Sequence, residues 1–175
     1  MKRLILVLLV GVIIISNAIW GYLYFNKEVE TTSNAGVQVY TLNGTGEIWD
    51  VIEYKIIISP SKILRGHGKL VYKGDPNDLE NSTYYKYEVN EINTNNNDET
   101  VLVGEARSTN GPVSILNNTD IGSITSSYSY GELSKGRQTY ESTTFTITWN
   151  DNEGNIHSET INLDIDSDIS LNDDL

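Results

Sequence analysis

Between residues 37 and 165 no window of twelve residues carries an apolar stripe at i, i+3, i+4, i+7. That stretch therefore has no face with which a helix could cover a core. Short runs of Thr, Val, Ile and Tyr recur instead, cut by Gly, Asn, Asp and Pro about every 8–14 residues. Such side chains suit a pleated, half-buried surface, and the punctuation supplies turns. The expected fold class is all-β, an antiparallel sandwich of eight to ten strands. No connection is long enough for the helical crossover that parallel strands need.

The expected strands are 37–42, 48–59, 63–65, 69–73, 83–92, 100–107, 113–116, 121–130, 138–149 and 156–165. The second is the longest and most apolar. Ile52, Tyr54, Ile56 and Ile58 share one of its faces, while Trp49 and Val51 share the other with Glu53 and Lys55. Apolarity thus changes face near Val51–Ile52, which predicts a bulge there or burial of both faces at one end. In 83–92, Tyr85, Tyr87 and Val89 alternate with Tyr84, Lys86 and Glu88. Phe145, Ile147 and Trp149 share a face of the first arm of the last hairpin, and Ile161, Leu163 and Ile165 a face of the second. Trp49 and Trp149 are the expected plugs between two sheets. Gly66-His67-Gly68 reads as a turn or kink, and 74–78, 93–98 and 150–155 read as loops. Strand number and size favour an immunoglobulin-like sandwich, although the Cys…Trp…Cys spacing of true immunoglobulin domains is missing.

Ahead of this lies an uncharged run of 22 residues, Leu4 to Phe25, fourteen of them Leu, Ile, Val or Phe. As a helix it reaches about 33 Å, enough for a hydrocarbon core of about 30 Å. Its aliphatic residues favour insertion by at most roughly 4–8 kcal/mol. Lys2 and Arg3 precede the run, whereas Lys27 is followed by Glu28 and Glu30. The positive-inside bias then leaves the N-terminus in the cytoplasm and the rest outside, with Trp20, Tyr22 and Tyr24 at the outer interface. The alternative is a signal peptide cut near Ser16-Asn17-Ala18, but the apolar run continues through Ile19 to Phe25. Both readings give the same compartment. A pilin layout lacks its processing motif, and a lipobox lacks its cysteine. The organisation expected is a transmembrane anchor over 1–27, a linker over 28–36, the sandwich over 37–165 and a frayed acidic tail over 166–175.

The absence of cysteine excludes disulfides, thiol catalysis and cysteine-ligated metal. All 24 acids and only nine of the 12 bases follow Lys27, so the outer part carries a net charge of −15. Nucleic acid and anionic lipid heads are therefore excluded as partners of the domain, since both need clustered Lys and Arg. The charge keeps the domain soluble by self-repulsion, or draws in a divalent cation or a basic partner.

Three stretches carry a resemblance: Gly46-Glu47-Ile48-Trp49 entering the long strand, Leu70-Val71-Tyr72-Lys73-Gly74-Asp75 ending another, and the hairpin from Ile147 to Leu163. With the apolar anchor in front, the layout resembles small membrane-tethered or lipid-tethered β-sandwich surface proteins of Gram-positive bacteria, over residues 37–165. The resemblance implies location and architecture, and carries no shared catalytic activity.

Chemistry is sparse. There are two histidines, His67 between glycines and His157 opening the last strand. No Gly-x-Ser-x-Gly elbow or His-Glu-x-x-His pair accompanies them, so both are expected on the surface and no catalytic residue is assigned. Asp164-x-Asp166-x-Asp168 begins like a calcium loop, but Ile169 and Leu175 stand where Gly and Glu are needed. As an extended strand its three carboxylates would point one way. The loops 75–78 and 150–153 also offer hard oxygens, which leaves metal binding open. Tyr84, Tyr85, Tyr87, Tyr128, Tyr130 and Tyr140 form either a sugar-stacking stripe or cross-strand pairs. Asn43, Asn81 and Asn117 head Asn-x-Ser/Thr triplets. The expected function is a non-enzymatic binding or structural module outside the membrane, without a cofactor, its partner a protein or a cell-wall polymer. A calcium-binding surface module is the alternative, and an acid-based hydrolase a more distant one.

Overall fold

The computed structural model describes residues 15–17, 36–93, 95–127, 132 and 135–171. The chain divides into two units, Met1–Asn34 and Ala35–Leu175. In the first only Ile15, Ser16 and Asn17 are described, as helix. The expected membrane segment and linker otherwise lie outside the described residues. Among the described residues no helix is long and apolar enough to cross a membrane.

The second unit is built of β1 (Val37–Thr45), β2 (Trp49–Ile58), β3 (Lys62–Gly66), β4 (Lys69–Tyr72), β5 (Tyr84–Ile92), β6 (Asp98–Arg107), β7 (Ser123–Ser127), β8 (Thr144–Asn150), β9 (Ile156–Asn162) and β10 (Asp164–Leu171). Every pairing is antiparallel. One sheet runs β10-β1-β2-β3-β7, with β4 also on β2, and the other runs β6-β5-β8-β9. Tyr40, Trp49, Tyr54 and Ile56 of the first sheet share one core with Tyr85, Val89, Phe145 and Trp149 of the second. The fold is thus an all-β sandwich. Trp49 and Trp149 meet edge to face with ring centroids 5.8 Å apart, and both are buried.

The change of face in β2 is a bulge. The β1–β2 register slips between Leu42 and Gly44, and Glu53 sits there at φ 57°. Asn43 Oδ1 accepts the freed Glu53 N–H at 2.7 Å. The extra residue turns Trp49 and Val51 to the same side as Tyr54 and Ile56, and all four are buried while Ile52 faces out. β3 and β4 do not form a hairpin, because both pair with β2 as one broken strand. The break is Gly66 and His67, at φ 128° and 59°. A side chain on Gly66 would run into the Gly122 carbonyl and Ser123 on the neighbouring segment, so glycine is required there.

Three local expectations are corrected. Residues 113–116 form no strand: after Pro112, Val113 N–H goes to Ser82 O, and Ile115–Asn117 make a 3₁₀ turn. The segment from 138 enters as a helical turn, Arg137–Tyr140, before β8 begins at Thr144. An i, i+4 ion pair at 2.8 Å between Arg137 and Glu141 supports that turn, and its Tyr140 is buried. Finally, the acidic tail is a strand as far as Leu171, paired along β1. Gln38 and Arg137 both engage Asp168, which partners one of the charges that made this segment look solvated.

Candidate functional site

At one end of the sandwich β4 and β8 stop and β2, β5 and β9 start, so the turns of both sheets converge. Asparagine chemistry builds this end. Buried Asn150 closes β8, and its Oδ1 accepts the Thr83 and Tyr84 N–H groups at 2.9 and 2.8 Å. Asn152 bonds the loop before β5, donating its N–H to Asp78 O at 3.1 Å and accepting Asn81 N–H at 2.6 Å. Asp75 caps the 3₁₀ turn Pro76–Leu79 through Asn77 N–H. The two loops that the sequence offered as separate oxygen sources, 75–78 and 150–153, are therefore held together.

Between them opens a cleft of about 350 Å³. Ile48, Leu79 and Trp149 make its apolar lining, Tyr72 and His157 add rings, and Asp78, Asp151 and Glu153 add carboxylates. No Lys or Arg lines it among the described residues. The nearby Lys73 ammonium is spent on Asp50, at 2.9 Å. Burial, then Asp78 and Asp75, push the Tyr72 hydroxyl above its ordinary range, so this end carries a negative field. Asp151 is the exception among the acids. His157 Nε2 stands 2.8 Å from it, and Asn155 and Glu153 donate to it as well. These bonds, the histidine's first, hold its carboxyl far below the usual range. Asp78 and Glu153 also line the cleft and are exposed, and Glu153 accepts the Asn155 side-chain N–H at 3.3 Å.

His157 is exposed and lies flat on Trp149, centroids 5.5 Å apart. His67 is exposed at the β3–β4 break. No serine or threonine hydroxyl bonds either histidine among the described residues. Asp164 and Asp168 do not share a face, contrary to the expectation: the β1–β10 register slips between Thr41 and Leu42, leaving Asp166 as the extra residue. That one-residue slip reverses the alternation. Among the described residues no three His, Asp or Glu side chains stand together as a metal site. The four described tyrosines of the six do not form a stripe. Tyr85 and Tyr140 are buried, Tyr87 stacks on Phe145 and donates to Ile121 O at 2.6 Å, and Tyr84 lies under Arg107. Tyr128 and Tyr130 lie outside the described residues. Asn43 spends its side-chain oxygen on the β2 bulge.

The sequence reading missed two ionic devices. Glu159 on β9 crosses to the other sheet and accepts the Ile48 and Trp49 N–H groups at 3.2 and 2.9 Å, and that of Glu47. At the opposite end, Arg65 on β3 and Glu91 on β5 form a bidentate pair inside the core, at 2.5 and 2.7 Å. Glu132 joins Arg65 at 2.9 Å, and Lys135 bonds Glu91 at 3.0 Å and Glu132 at 3.3 Å. Two cations thus face two anions. Burial opposes the charge on Glu132, but Arg65 and Lys135 outweigh it and its carboxyl falls below the usual range. Glu91 shares the parity of Tyr85 and Val89 in 83–92, the signal that could have found it, but alternation alone left the inward face open and its charge argued against burial.

Neither a family model, a curated protein nor a solved structure matches this chain.

Proposed function

We infer that this chain is a non-enzymatic binding module, held outside a cell membrane by its N-terminal apolar helix and displaying an immunoglobulin-like sandwich. The cleft between the 75–78 and 150–153 loops carries this reading. It is concave, part apolar and part charged, and set on loops that two sheets hold in place, which is how binding sites are commonly arranged. Support for the anchor is the 22-residue uncharged run with its flanking charges. Support for the immunoglobulin-like order comes from the pairings. β2, the broken β3/β4 and β7 follow one another as A, B and E do, and β6-β5-β8-β9 lie as C′, C, F and G. Strand D has no counterpart among the described residues of 108–122, and β1 and β10 are additions at the A edge. A non-enzymatic role is supported by the sequence, which carries neither a Gly-x-Ser-x-Gly elbow nor a His-Glu-x-x-His pair.

The test is retention. The chain, immobilised from detergent, should hold back a protein or wall polymer from a cell-envelope extract. Ile48→Arg, a change at a partly exposed position in the cleft, should abolish retention without lowering the melting temperature. Protease added to intact cells should remove the domain. Retention unchanged by Ile48→Arg, or turnover of an envelope polymer by the purified chain, sinks the reading.

A further inference from the structure

We propose that the cleft receives an alkylammonium group on a flexible methylene stem, the chemistry of a lysine side chain. The inference rests on the binding-module reading above and names the class of its ligand.

The cleft has two unlike parts. Ile48, which is partly exposed, and the half-buried Tyr72 ring offer apolar surface over the buried Leu79 and Trp149, while Asp78 and Glu153 offer carboxylates. A lysine side chain has the same division, an apolar stem that gains from burial and a head that keeps its charge. The competing ligand classes fit less well. A calcium ion needs six to eight oxygens around one point, and no such grouping of acids exists among the described residues. A sugar needs an open aromatic face, but Trp149 is 3 % exposed, with His157 stacked on it and Trp49 against it. An anion would meet Asp78 and Glu153 with no cationic side chain lining the cleft among the described residues. Asp151 is already satisfied by His157 and Asn155, whereas Glu153 takes a single longer side-chain bond, from Asn155 at 3.3 Å, so Asp78 and Glu153 have oxygens left for one ammonium head. The net charge of −15 over residues 28–175 adds long-range attraction for such a ligand.

The probes are Nα-acetyl-lysine amide, its neutral Nε-acetyl form, trilysine and calcium chloride, each titrated into the full chain in detergent while the Trp149 and His157 amide resonances are followed. Nα-acetyl-lysine amide should shift both, with a dissociation constant on the order of millimolar, as a ligand of about a dozen heavy atoms allows. The Nε-acetyl form should not. Asp78→Asn with Glu153→Gln should weaken binding at least tenfold. Both side chains are exposed, and an unchanged melting temperature confirms that the fold survives. If trilysine gains more than the statistical threefold, the source is a basic polypeptide; if it gains only that factor, the source is a free amine. Both results support the assignment. Equal binding of the neutral form, indifference to the double substitution, or calcium moving the same resonances at lower concentration overturns it. Retention of an envelope component that is sensitive to Ile48→Arg, with no response to lysine probes, removes the ammonium assignment and leaves the binding module standing. Loss of both removes both.

Discussion

Replacing Glu91 with leucine should be the most damaging single change in the core of this protein. Its side chain is fully buried and takes Arg65 in two hydrogen bonds and Lys135 in a third. Leucine removes the anion and leaves two cations, both almost wholly buried, to share Glu132. Stranding one charge of a buried pair costs about 3–5 kcal/mol. For the roughly 135 residues from Val37 to Leu171, that lowers the melting temperature by about 10–18 °C. Urea unfolding followed by tryptophan fluorescence measures the same loss as a shift in midpoint. The second half of the argument is the double variant Arg65→Met/Glu91→Leu. It leaves Lys135 paired with Glu132 at 3.3 Å, so no charge is stranded. It should recover most of the loss and end within about 2 kcal/mol of the parent. The difference in midpoint between the parent and Glu91→Leu should barely respond to added salt, because buried pairs are poorly screened. If Glu91→Leu costs less than about 1 kcal/mol, or if the two substitutions simply add, the cluster is not a closed set of balanced charges and the reasoning fails.

Glu132 gives a pH dependence of defined sign. Its carboxyl is depressed in the folded state, so its contribution is complete above the ordinary carboxylate range and disappears as acid protonates it. Urea midpoints taken from neutral pH downward should fall below about pH 4.5, and Glu132→Gln should flatten that slope; an unchanged slope refutes it. Glu159→Ala removes the acceptor of the Ile48 and Trp49 N–H groups. It should cost about 1–3 kcal/mol and speed hydrogen exchange at Trp49, whereas protection equal to the parent's would show that another acceptor suffices. Glu53 occupies the left-handed region at φ 57°, a strain of roughly 1–2 kcal/mol for a residue with a Cβ. Glu53→Gly should therefore stabilise the domain by up to about 1 kcal/mol, partly offset by the looser unfolded chain, and Glu53→Val should destabilise it in the same melting experiment.

Much of the core was legible because alternation is local. Tyr85, Val89, Phe145, Ile147, Trp149, Ile161 and Leu163 all face inward, as a period of two within each short run requires. The reversal in 48–59 marked the place within a residue or two but left a bulge or burial of both faces open; the register slip decides for the bulge, which brings Trp49 and Tyr54 to one side. Glu91 had the right parity and the wrong charge. Its burial depends on Arg65 and Lys135, which lie 26 and 44 positions away, and no window along the chain contains them. Charge likewise misled the reading of β10, where Asp168 looked solvated until Arg137 and Gln38 reached it.

The cleft shows the same division. Asn, Asp and Gly at 75–78 and 150–155 mark turns, because their side chains bond their own backbone and tolerate unusual dihedrals. That property is written locally and reads from the residues alone, as do the all-β class, the acidic character of the domain and the uncharged leading run. That the two turns meet, that Asn152 ties one to the other, and that Trp149 lies between His157 and Trp49 follow from how the sheets pair and pack. Strand register and sheet stacking bring together residues about 70 positions apart, and those contacts exist only once the backbone has closed into two layers. Alternation therefore tells each residue which side it faces, and only the folded chain determines what it faces.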